Sequence, residues 1–112
     1  MPEFNFREKK FNNSVELSLD IIGGKWKIPI IWRLKDGEMR YGEIRRSLPK
    51  VTHKMLTQQL RELEQDEIIK RKVYPEVPPK VEYRLTLLGE SVIPVIDLLR
   101  EWGEQYRNVF DK

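Results

Sequence analysis

Residues 50–65 read KVTHKMLTQQLRELEQ, and this stretch decides the fold. At 100° per residue, Leu56, Leu60 and Leu63 fall on one side of a helix, while Lys54, Thr57, Gln58, Arg61 and Gln65 fall on the other. The apolar seam asks for a core. The basic, amide-rich face carries the side chains that read base edges and hold phosphates in a DNA major groove. Thr52 supplies an N-cap oxygen, and Val51 with Leu56 stands where a hydrophobic staple fixes the entry of the chain. Glu62, Glu64, Asp66 and Glu67 crowd the far end and would repel phosphate. Only the first half, Thr52 to Arg61, is therefore expected to approach DNA.

Upstream, Tyr41 to Leu48 is long enough for two helical turns, with Ile44 and Leu48 spaced to face a core, and Pro49 then forces a turn. Two short helices joined in this way form a helix-turn-helix, whose second helix enters the major groove while the first crosses the backbone. Charge agrees with that placement. From Arg40 to Arg61 there are six cations against the single acid Glu43, although the net charge of the whole chain is only +3. Arg40, Arg45 and Arg46 are expected to hold backbone and set register rather than sequence.

Downstream of Asp66 the period changes to alternation. Ile69 and Val73 mark one strand, Val81, Tyr83 and Leu85 the next, and PEVPPK joins them as a stiff hairpin tip. Lys72, Lys80 and Arg84 on this wing, residues 69–86, are candidates to straddle the backbone or reach the minor groove. Thr86 can cap a last helix in which Val92, Ile96, Leu99, Gly103, Tyr106 and Phe110 repeat at spacings of four and three. Val95, Leu98 and Trp102 widen that seam beyond what one small domain covers, which suggests a second copy of the chain. Pro94 is expected to kink this helix or to begin its longer portion.

Before the helix-turn-helix, Ser14 can cap a helix carrying Val15, Leu19 and Ile22, stopped by Gly23 and Gly24. Another helix follows from Lys25, with Trp26, Ile30, Ile31 and Leu34 inward, and Pro29 should bend it or delay its start. Residues 1–13 lack a clean period. Their phenylalanines, Phe11 included, suggest an arm that orders only by packing on something else, with a dimer contact as one use.

A chain of 112 residues fits one domain. No apolar run approaches the ~20 residues that span a bilayer, and the start, MPEFNFREKK, lacks a signal-peptide core, so a cytoplasmic protein without membrane contact is expected. The absence of cysteine excludes disulfides and thiolate metal sites. With His53 as the single histidine, a zinc site would rest on carboxylates alone. No cofactor or metal is expected. Without a phosphate-cradling glycine loop or a Ser-His-Asp spacing, an enzyme is rejected.

Taken in order, DIIGGKWKIPIIWRLKDGEMRYGEIRRSLP, KMLTQQLRELEQDEII and VYPEVPPKVEYRLTLLGESV closely resemble the HxlR-type regulators, relatives of the MarR-like group. The resemblance covers roughly residues 14–103. It implies a dimeric winged-helix repressor or activator that contacts DNA through recognition helix and wing and dimerises through terminal elements. Many members carry a Cys-Pro-Val-Glu pattern before the first helix, whereas this chain reads Asn13-Ser14-Val15-Glu16. A thiol switch is thus closed to it, and the identity and existence of a small-molecule effector stay open.

The resulting expectation is an α+β, mostly α, winged helix-turn-helix with a two-stranded wing and a long C-terminal dimerisation helix. Its parts are an arm at 1–13, a DNA-binding unit at 14–88 and a dimerisation helix at 89–112, all in one domain. Expected contacts with double-stranded DNA are Arg40, Arg45, Arg46, Thr52, His53, Lys54, Thr57, Gln58, Arg61, Lys72, Lys80 and Arg84. Within that set Thr52 serves first as a cap, Gln58 suits an adenine edge and Arg61 a guanine. Phe11, Val92, Ile96, Leu99, Trp102, Tyr106 and Phe110 are expected at a homodimer seam. For Trp26, Trp102, Tyr106 and Phe110, packing is favoured over an effector pocket. The rival function is a winged-helix module that binds protein rather than DNA, since fold alone does not dictate function.

Overall fold

The computed structural model describes residues 2–111; Met1 and Lys112, the outer ends of the expected arm and dimerisation helix, lie outside the described residues. Elements follow in the order β1 (Phe4–Phe6), β2 (Lys9–Phe11), α1 (Ser14–Ile22), α2 (Lys27–Arg33), β3 (Met39–Arg40), α3 (Tyr41–Ser47), α4 (His53–Gln65), β4 (Ile69–Tyr74), β5 (Lys80–Leu85), α5 (Leu87–Glu90) and α6 (Ile93–Phe110). A single 3₁₀ turn, Leu34–Asp36, extends α2. This is a winged helix-turn-helix, mostly helical, with a small antiparallel sheet.

The core forms where the helical seams meet. Ile30, Ile31, Ile44, Leu56 and Leu63 are completely buried, and Leu34, Leu60, Val51 and Ile69 nearly so. Every seam residue expected of α4 lies in this cluster, as do Ile44 and Leu48 of the preceding helix. Thr52 Oγ1 accepts a hydrogen bond from the Met55 amide at 3.1 Å, and Val51 beside Leu56 closes the staple. The helix ends in a Schellman motif. Ile68 N–H donates to Leu63 O at 2.9 Å and Glu67 N–H to Glu64 O at 3.0 Å, with Glu67 in the left-handed region at φ 60° and Ile68 packed beside Leu63.

Several local expectations change. Asn13, not Ser14, caps α1, because its Oδ1 accepts from the Glu16 amide at 3.0 Å while Glu16 Oε1 accepts from Asn12 N–H at 2.7 Å. The stop at Gly23 and Gly24 holds: Gly23 caps the helix, its N–H donating to Leu19 O at 2.8 Å, and Gly24 follows at φ +93°, a conformation that side chains rarely adopt. Pro29 delays α2 rather than bending it. The helix begins at Lys27, which puts the missing proline N–H in the first turn, where no intrahelical acceptor exists anyway.

The arm is not shapeless. Phe4 pairs with Phe11 and Phe6 with Lys9 in an antiparallel hairpin, turned by Arg7 and Glu8 at φ 50° and 64°. Phe11 is buried, its ring 5.6 Å from that of Phe4. Arg7 pairs with Asp66 just beyond α4, and Lys9 Nζ lies 3.4 Å from Asp20 Oδ1 of α1.

The wing gains a third strand. Met39 pairs with Tyr83 and Arg40 with Glu82, so the sheet order is β3-β5-β4 and the wing is tied to the start of α3. Thr86 caps the short α5, accepting from Gly89 N–H at 3.0 Å, and not the long helix. Gly89 leaves no room for a side chain, since a Cβ there would stand 2.1 Å from Ile68 O. Pro94 takes the second position of α6 and so begins the longer portion.

Candidate nucleic-acid interface

The outer face of α4 is free. Lys54, Gln58 and Arg61 are exposed, Thr57 is half-buried, and among the described residues none of the four donates or accepts a side-chain hydrogen bond or joins an ion pair. Their helix is held rigidly by its other side, where Leu56, Leu60 and Leu63 are sealed in the core. A rigid scaffold presenting uncommitted donors is what recognition of a patterned ligand requires.

His53 opens the helix and meets α3. Tyr41 Oη reaches His53 Nδ1 and lies 3.3 Å from His53 O, the rings standing edge to face at 5.3 Å. Tyr41 thereby fixes the entry of α4 against the preceding helix, a role nothing in the local sequence announces. Arg40, Arg45 and Arg46 are exposed around α3. Glu43 belongs to the fold there, its Oε1 accepting the Arg40 N–H at 2.9 Å to close the start of the helix.

Two of the acids at the end of α4 have structural partners. Glu62 Oε1 lies 3.0 Å from Nζ of Lys27, whose side chain is 8% exposed, and Asp66 holds Arg7.

On the wing, register separates the charges onto two faces. Lys70 pairs with Arg84, Lys72 with Glu82 and Tyr74 with Lys80, and Arg40 also opposes Glu82. Paired side chains share a face and alternate residues change face, so Arg40, Lys72, Lys80 and Arg84 lie together on the side away from the core. Lys80 Nζ sits 2.8 Å from Glu82 Oε1, and Lys72 and Lys80 each hold an ammonium 4.8 Å from the Tyr74 ring centre. The Lys80 hydrogen bond holds the Glu82 carboxyl below the usual glutamate range and raises the lysine in return.

The wing cation on the α4 side is Arg71, paired in register with Tyr83. Thr57, Arg61, Glu64, Arg71 and Tyr83 line a notch of about 300 Å³ between the helix and the sheet. The structure thus brings Arg61 to Arg71, and does not bring Lys72, Lys80 or Arg84 to the helix. Alternation from the buried Ile69 is the sequence signal for Arg71, two residues on.

The residues expected at a dimer seam divide. Phe11 and Ile96, each 6% exposed, are consumed inside the chain, so their packing is accounted for without a partner. Val92 packs against the core from the start of α6. Leu99, Trp102, Tyr106 and Phe110 are more than half exposed, together with Leu98 and Val109, and so are Val15 and Leu19 on α1. Trp102, Tyr106 and Phe110 form a ladder with ring centres 5.5 and 5.0 Å apart. Trp26 instead packs on the core.

The chain is similar to known proteins in sequence and in fold. A protein of Methanothermobacter thermautotrophicus described as an uncharacterized HTH-type transcriptional regulator is 57% identical over 93 residues, covering 83% of this chain and 71% of its own length. The uncharacterized HTH-type transcriptional regulator YdeP of Bacillus subtilis is 54% identical over 98 residues, covering 88% and 77%. Among solved structures, the redox regulator HypR in its reduced form superposes with a TM-score of 0.83 at 49% identity, covering 88% of this chain and 98% of that one. Residues 21–111 match the HxlR-like helix-turn-helix description throughout. The chain belongs to the HxlR-like helix-turn-helix family of transcriptional regulators.

Proposed function

We propose that the chain regulates transcription as a homodimer that binds double-stranded DNA sequence-specifically, with α4 in the major groove and the β4–β5 wing on the adjoining backbone or minor groove. The carrying observation is the outer face of α4, where Lys54, Gln58 and Arg61 stand exposed without partners on a helix whose other face is buried. Gln58, on the open front of the helix, is suited to a bidentate adenine contact, which discriminates by about 1–3 kcal/mol. Arg45 and Arg46 on α3, with Arg40 at its start, are exposed and serve the backbone. The exposed apolar length of α6 is the surface for pairing two copies about a two-fold axis. Recognition helices about 34–36 Å apart would then read a palindrome.

Selection of bound duplexes from a random pool, followed by titration of the recovered site at several salt concentrations, tests this reading. Expected are a two-fold symmetric site and an affinity that falls steeply with salt. Gln58→Ala should weaken the selected site more than unrelated duplex, with the fold and assembly unchanged. A protein-binding module would show no salt-dependent duplex binding, and that result would reject the proposal.

A further inference from the structure

We infer that the notch between α4 and the wing is a seat for one DNA phosphodiester, held jointly by Arg61 and Arg71, and that Arg61 acts there as a phosphate ligand rather than a base reader. The inference rests on the proposed DNA-binding reading and adds a residue, Arg71, together with a changed role for Arg61.

The major and minor grooves of a duplex are separated by a sugar-phosphate strand. A protein with one helix in the major groove and a hairpin at the neighbouring minor groove must let that strand pass between the two. In this chain the gap between helix and hairpin is the notch lined by Thr57, Arg61, Glu64, Arg71 and Tyr83. Its volume of about 300 Å³ leaves room for a phosphodiester with bridging water.

The lining chemistry suits an anion. Two arginines line it from different elements, one on the helix and one on the sheet, and each carries a planar fork of donors matched to phosphate oxygens. Neither forms an ion pair or hydrogen bond among the described residues, although the Glu64 carboxylate shares the notch. Thr57 and Tyr83 add hydroxyl donors. Two cations against one acid leave the notch positive, and Glu64 opposes the anion, which predicts that its removal strengthens binding.

A base contact and a shared phosphate contact differ in what they do to binding. Loss of a base reader relaxes preference at one base pair. Loss of a phosphate ligand weakens all sequences alike and lowers the salt slope by about 0.9. Two ligands of one phosphate also cannot each remove a separate counterion, so their effects must overlap.

The test uses the full chain with its selected duplex, duplexes altered at single base pairs, and a set carrying one neutral methylphosphonate at each backbone position in turn. Arg61→Ala and Arg71→Ala should each reduce affinity roughly tenfold or more, the worth of a charge-assisted hydrogen bond, equally across the altered duplexes. The slope lost by the double variant should not exceed about 0.9, the worth of one phosphate. Arg71→Lys should keep the slope and much of the affinity, Glu64→Gln should tighten binding, and one methylphosphonate position should erase the effect of both arginine substitutions. Circular dichroism and melting confirm that each variant is folded. Additive slope losses, relaxed preference at one base pair for Arg61→Ala, or unchanged binding by Arg71→Ala would each overturn the shared seat while leaving DNA binding standing. Absence of salt-dependent binding by the unaltered chain would instead remove the reading beneath it.

Discussion

Lys27 shows what a single residue can demand of its neighbours. Its ammonium is almost wholly covered and meets one carboxylate, Glu62 Oε1 at 3.0 Å, so the last turns of α4 are tied to the first turn of α2. Glu62→Ala would strand a buried donor, and the expected cost is about 1–3 kcal/mol, visible as a melting point lower by several degrees. Lys27→Met in that background should restore most of the loss, because the stranded charge is then gone; a second, equal loss would show that the two side chains act separately. Glu82 offers a pH test of the same kind. Its folded pKa lies below the ordinary value because Lys80 donates to it, so the stabilisation is complete above the unfolded pKa and is lost as pH falls through the folded one. Lys80, shifted upward, keeps its share below its ordinary value and loses it only as pH rises through the raised one. A carboxyl carbon titration of Glu82 should show a midpoint below that of a free glutamate, moving up in Lys80→Ala. An unshifted midpoint in the unaltered chain would contradict the pairing.

At the scale of elements, the end of α4 carries a removable strain. Glu67 occupies the left-handed position that closes the Schellman motif, which costs an L-residue about 1–2 kcal/mol. Glu67→Gly relieves it against a glycine entropy cost of about 0.5–1 kcal/mol, so denaturant unfolding should show equal or modestly greater stability, and a clear loss would refute the account. The elements legible in the sequence were those with a long period and a stop, above all α4 between Thr52 and Asp66 and the paired strands around PEVPPK. β3 was not, because two residues carry no period and Met39–Arg40 becomes a strand only when β5 offers its edge. Nor was the N-terminal hairpin, whose turn places Arg7 and Glu8 where Asn-Gly would be expected. The site divides in the same way. Lys54, Gln58 and Arg61 follow from helical spacing; Arg71 is missed by the sequence reading in favour of Lys72, Lys80 and Arg84, although alternation from Ile69 marks its face, and Tyr41 against His53 is a contact between elements that no local pattern encodes.

The whole molecule is less compact than its length allows. Its radius of gyration is 16.2 Å, against roughly 13 Å for a compact domain of this size, and α6 is exposed from Leu98 to Phe110. Large apolar surface of this kind marks an association face. Ile96 and Leu99 on that helix should therefore answer differently to a charge: Ile96→Asp, inside the chain, should unfold it, while Leu99→Asp should give a folded protein that sediments as a monomer. A dimeric Leu99→Asp would exclude Leu99 from the proposed pairing face.

α5 stops at Glu90 and α6 starts at Ile93, which leaves a short joint at the base of an 18-residue rod, about 27 Å long at 1.5 Å per residue. Leverage follows from those proportions. A tilt of about 10° at the joint would swing the far end by roughly 5 Å over that length, more than the ~3.4 Å step between base pairs. Side chains around Gly89 and Pro94, outside the proposed DNA-contacting face, would thereby tune the reach of the proposed pair as a machinist sets a gauge.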